Sequence, residues 1–172
     1  MIKVLGAMLI VSSCSFAGFF FGEKYSGRVE QLRQLISALQ MLQTEIGYTA
    51  TPIIEVLPGL IQQTGPPVSL IFSGTKANLE NGAGLTAGEA WQKALEKARC
   101  QLDLEQADLR ILQRLSSSLG AGGREEHLQS LKLTQQQLSH QEREAAENRI
   151  KYERLYKTMG VLVGLALVLV FI

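Results

Sequence analysis

His127 and His140 are the two histidines of the chain, and imidazole is the side chain best suited to proton transfer or metal ligation near neutral pH. They lie 13 residues apart on one stretch with helical character, which at 100° per residue sets them about 140° apart around the axis. They cannot share a metal ion. The sequence has no Glu-x-x-His pair of the kind that builds di-metal centres in helical bundles, and no Cys-x-x-Cys. Glu142, Glu144 and Glu147 alternate with Arg143, Arg149 and Lys151, a pattern that suits a salt-bridged, solvated helix face better than acid–base catalysis. Gly82-Ala83-Gly84 and Gly120-Ala121-Gly122-Gly123 are followed by no phosphate-binding lysine and preceded by no strand, so they read as helix stops and turns. The expectation is therefore no catalytic, cofactor-binding or metal-ligating residues. In a membrane-tethered enzyme, Glu45 and His127 would be the groups to probe.

The elements that would position these residues all carry a period of three to four. Val29, Leu32, Leu35, Ile36, Leu39, Leu42 and Ile46 mark a first helix from Arg28 to about Gly47. Thr51-Pro52 starts a second, over Pro52–Gln63, which Pro58 should kink or shorten. A third carries Val68, Leu70, Ile71, Phe72 and Leu79 and ends near Asn81-Gly82. Thr86-Ala87-Gly88-Glu89 is a capping-box pattern opening a fourth, alanine-rich helix. Trp91, the one tryptophan, sits on it and reads as a core anchor. Asp103 is positioned to cap a fifth helix, Leu104–Leu119, which Gly120 stops. From Arg124 a last helix meets no breaker, and its thin stripe of Leu131, Leu138 and Ala145 implies a solvated stalk or a partner-facing surface beyond Leu138. The period-two alternation of strands is missing, so the expected fold class is all-α, roughly a six-helix antiparallel bundle.

Two apolar stretches flank this helical region. Val4–Gly22 has 19 residues and Thr158–Ile172 has 15, both without a charge. The first is about 28 Å of helix, close to the hydrocarbon thickness of a bilayer, and the second about 22 Å. All 16 acidic residues and 16 of the 17 basic ones lie between them. The expected organisation is an N-terminal transmembrane helix (1–22), one water-facing helical domain (28–157) and a C-terminal transmembrane helix (158–172). Arg143, Arg149, Lys151, Arg154 and Lys157 precede the second stretch, which places the domain in the cytoplasm. Equal numbers of acids and bases argue against a nucleic-acid surface. Gly160-x-x-x-Gly164 is the candidate for helix packing within the membrane. Cys14 falls inside the first stretch and Cys100 in the domain, near a helix end, where a semi-buried apolar role is expected; no disulfide is expected between them. Val11-Ser12-Ser13-Cys14 also resembles a lipoprotein cleavage box, and the alternative to a double anchor is an extracytoplasmic adaptor lipidated at Cys14.

The opening stretch through Leu57, the Gly84-Leu85-Thr86-x-x-Glu89-Ala90-Trp91 segment, the Leu119-Gly120 stop and the closing apolar run resemble the stage III sporulation protein AB family over essentially the whole chain. That family is in turn similar to the cytoplasmic domains of the type II secretion F protein, from which this chain departs in having one such domain and no third span. The resemblance implies a non-enzymatic platform in a membrane complex of the mother cell, facing the forespore. Its implied partners are a secretion-type ATPase of the same operon and other stage III sporulation membrane proteins; whether the chain forms a homo-oligomer is left open by the sequence. Charges of the early helices, Arg28, Arg33 and Glu45, are the expected contact residues for the ATPase.

This topology makes a direct prediction. With Cys14 and Cys100 removed, single cysteines at Ser116 and Ser139 should be shielded from a membrane-impermeant thiol reagent in intact cells. Labelling at either position would place the domain outside the cytoplasm.

Overall fold

The computed structural model describes residues 26–49, 51–81, 84–120 and 123–171, and all regular structure among them is helical. Helix α1 covers 26–44 and continues as a π-helical turn, Glu45–Thr49. It is followed by α2 (Ile53–Gln63), α3 (Ser69–Glu80), α4 (Ala87–Ala98) with a 3₁₀ turn at Arg99–Gln101, α5 (Gln106–Gly120) and α6 (Arg124–Phe171). Internal contacts divide the chain into two units, Glu30–Arg143 and the pair Met1–Val29 with Glu144–Ile172. In the first unit α2 packs on α3, α3 on α4, and α4 on α5, the neighbour-to-neighbour order that short connections favour.

Alanine and glycine decide how closely α4 is approached. Its buried face is Gly88, Ala90, Trp91, Ala94, Leu95 and Ala98, so small residues alternate with two large anchors. A Cβ built on Gly74 of α3 would lie 3.0 Å from the Ala94 Cβ, and one on Gly88 would overlap the Ser116 carbonyl and sit 2.8 Å from the Gly120 amide nitrogen of α5. The backbones can come this near only because no side chain intervenes. Trp91 fills the space beside this contact: it is 2 % exposed, its indole meets the Phe72 ring edge-on at 5.7 Å between centroids, and its Nε1–H donates to the Leu112 carbonyl at 3.0 Å. The tryptophan therefore buries a large apolar area without orphaning its one donor.

On α1, Leu32, Leu35, Ala38 and Leu39 are fully buried, and polar side chains hold the neighbouring segments to it. Gln31 and Asp103 exchange two hydrogen bonds of 2.9 Å, amide to carboxylate and backbone amide to side-chain carbonyl. The Gly65 amide donates to Gln34 at 3.2 Å, Gln63 to the Ser37 hydroxyl at 3.3 Å, and Gln135 of α6 to Gln43 at 2.8 Å. These bonds fix where the α2–α3 and α4–α5 connections rest.

Several expectations need correction. Asp103 does not cap α5: its carboxylate is taken by Gln31, and the helix opens later, with the Glu105 amide donating to Asp108 at 2.9 Å. Pro58 does not shorten α2, which runs through it to Gln63; the proline is exposed and has no N–H to donate to the helix. Cys100 is exposed, not semi-buried, because the 3₁₀ turn carries it away from the buried face of α4. The capping box at Thr86 and Glu89 is present as read from the sequence, and α6 is unbroken from Arg124 into the second apolar stretch. Among the described residues no helix is long and apolar enough to cross a membrane. The expected first span, 1–22, and Cys14 with it, lies outside the described residues. The second falls on the end of α6, where the charge-free run is shorter than the roughly 20 residues a hydrocarbon core calls for.

Two predictions follow from α4. Gly88→Ala should destabilise the protein by about 3 kcal/mol, the upper end for overpacking, while Gly123→Ala, whose Cβ meets nothing within 4 Å, should stay within about 0.5 kcal/mol of wild type by thermal melting. In the capping box, the Thr86 backbone amide and then its hydroxyl hold the Glu89 carboxyl below its usual range, with a smaller pull from Lys93. A depressed folded-state pKa stabilises at pH values above the unfolded one and is lost as pH falls through the folded one. The gap in melting temperature between wild type and Glu89→Gln should accordingly be widest near neutral pH and close below about pH 4.

Candidate interaction surfaces

Histidines and carboxylates do not converge among the described residues. Among the described residues no group of three or more His, Cys, Asp or Glu could hold a metal ion. His140 is exposed, whereas His127 is half-buried, its Nε2 enclosed without a hydrogen-bond partner among the described residues. Glu45 is half-exposed on the π turn that ends α1. What the fold offers is surface, in three places.

One is the junction of α1 and α6. The π-helical turn leaves carbonyls at the end of α1 without the regular helical partner, and Arg124, the first residue of α6, reaches across to them. Its Nε donates to Ile46 O at 2.9 Å and its Nη2 to Gly47 O. A cation at a helix C-terminus is favoured by the helix dipole as well. Gly47 lies against Leu128, and the next residue, Tyr48, is 87 % exposed.

A second surface is the groove between α3 and α4, about 590 Å³, lined by Gly74, Ala77, Lys93, Ala94, Lys97 and Ala98 among others. The third runs along both flanks of α6. Between α1 and α6 a groove of about 560 Å³ is lined by Ile36, Gln40, Lys132, Gln136, His140 and Arg143 among others. Between α5 and α6 another of about 460 Å³ is lined by Arg110, Ile111, Arg114, Gln137 and His140 among others. His140 stands on the ridge common to both.

The early-helix charges fare differently from one another. Arg28 is 7 % exposed and is removed from the set of exposed contact residues, because its position falls on the buried stripe of α1 with Val29 and Leu32. Arg33 is 59 % exposed and pairs with Glu142 at 2.8 Å, a contact of small energetic worth at that exposure. Gly160 and Gly164 lie on the last part of α6. The residues that sequence reading passed over are Arg124 and the cations of the α6 flanks. Their intervals, Arg110 to Arg114 and Lys132 to Gln136 to His140, are those of one helix face, a signal visible in the sequence; that the two faces adjoin is not.

Comparison with known proteins places this geometry. A family model described as stage III sporulation protein AB matches residues 3–172. Stage III sporulation protein AB of Bacillus subtilis (strain 168) is 34 % identical over 169 residues, covering 98 % of each chain. A solved structure of a stage III sporulation protein AB superposes with a TM-score of 0.69 at 30 % identity, over 73 % of this chain and 98 % of that one.

Replacing the clamp tests its role. Arg124→Ala should free the Ile46 and Gly47 carbonyls and raise amide hydrogen-exchange rates over 45–49 several-fold, with the α4–α5 amides unchanged; equal rates in both regions would mean the clamp is dispensable.

Proposed function

The chain belongs to the stage III sporulation protein AB family, and from that premise we propose that it is a non-enzymatic platform of the sporulation membrane complex between mother cell and forespore. In this reading its helical domain faces the mother-cell cytoplasm and couples a secretion-type ATPase to membrane partners. The single observation that carries it is α6, one helix from Arg124 through Phe171. Leu131 and Leu138 near its start are fully buried, while its end is the charge-free run from Thr158. The scattered placement of titratable groups supports a binding role over catalysis.

Membrane contacts are assigned to Gly160 and Gly164, where small residues one turn apart let helices approach closely. Arg33 and Glu45 remain the proposed ATPase contacts, both on the described surface. The full-length chain, affinity-purified from detergent-solubilised membranes of sporulating cells, should bring down the ATPase. Arg33→Glu with Glu45→Lys should lower that yield, and Gly160→Ile with Gly164→Ile should lower the yield of membrane partners alone. Recovery of membrane partners with no ATPase would overturn the coupling role.

A further inference from the structure

We infer that the two grooves flanking α6 form a docking surface for an acidic segment of a partner protein, laid alongside α6 across the ridge at His140. The charge pattern carries this. Glu30–Arg143 contains 12 acidic and 10 basic residues, so the unit is slightly acidic as a whole. Yet Arg110 and Arg114 of α5 and Lys132 and Arg143 of α6 gather along the two grooves, and no carboxylate lines either one. All four are exposed, and none has a hydrogen-bond or ion-pair partner among the described residues. Of the two acids that flank Arg143 in sequence, Glu142 is engaged by Arg33 and Glu144 lies outside this unit.

Random placement of charges on an acidic unit would scatter acids among these bases. Their segregation produces a local positive potential that steers and holds an oppositely charged partner. The rest of the lining fits a polypeptide. Ile36 and Ile111 give each groove an apolar floor, and Gln40, Gln136 and Gln137 can donate to or accept from a peptide backbone. A long polyanion such as nucleic acid would extend beyond the patch onto the acidic remainder of the unit, where it is repelled. A short acidic helix or strand would not. The inference rests on the platform reading only in expecting a protein partner.

The test uses the full-length protein in sporulating cells, with the photocrosslinking residue benzoylphenylalanine placed at Gln136 or at Gln137. The expected result is adducts that map to one segment of a partner protein with an excess of Asp and Glu. Combined Arg110→Glu, Arg114→Glu and Lys132→Glu should reduce adduct yield by about fivefold, the sum of three weak surface pairs, and lysine substitutions in the mapped segment should restore it. The single exchanges R114E and K132E give the same test at smaller amplitude if the triple variant accumulates poorly. Adducts with a segment lacking excess acid, with a second copy of this chain, with lipid or with nucleic acid would overturn the inference, as would absent adducts or yields indifferent to charge reversal. Its failure is distinct from failure of the platform reading: the affinity purification reports complex membership whatever the crosslinker captures.

Discussion

The backbone-to-backbone contact of α4 with α5 is the constraint on which the rest of the helical unit depends. At Gly88 and Gly120 the two helices meet with no side chain between them, and the capping box at Thr86 fixes the start of α4 at that level, with its hydroxyl beside Gly120. One turn on, Trp91 spans the gap that a close crossing opens and bonds the α5 backbone at Leu112. Ala94 then admits α3 on another side of the same helix. A larger residue at any of these small positions would push α5 or α3 outward and leave Trp91 a cavity in place of a socket.

Around this contact, α1 acts through amides more than through ions. Gln31, Gln34 and Gln43 each hold a different segment by a hydrogen bond of 2.8–3.2 Å, and the ion pairs Arg33–Glu142 and Lys76–Glu80 are surface contacts. Neutral amides keep their geometry across pH and salt, whereas exposed ion pairs weaken as salt rises. Arg110, Arg114, Lys132 and Arg143 take no part in these bonds and stand exposed on the surface.

In the proposed role, what matters is where surfaces lie relative to one helix. α6 begins at the Arg124 clamp, contributes Leu131 and Leu138 to the core, exposes its flanks in two grooves, and runs on into the apolar stretch. The same helix thus presents the proposed docking surface and leads toward the proposed anchor.

The sequence by itself determined the helical class, the six helices, the capping box at Thr86 and the unbroken run of α6, because each is written in local periods and local hydrogen-bonding residues. It also carried the family, through Thr86, Glu89, Ala90, Trp91 and the Leu119-Gly120 stop, and the structure brings those residues to one place, the α4–α5 crossing. Tertiary structure alone decided the rest. Asp103 has the right spacing to cap a helix but finds Gln31 72 residues away; Arg28 is a charge among charges until α1 turns it inward; the cations of α5 and α6 become one surface only when the helices lie side by side. Periodicity fixes which face of a helix is apolar, but which helix that face meets, and which polar group captures which partner, is settled by packing.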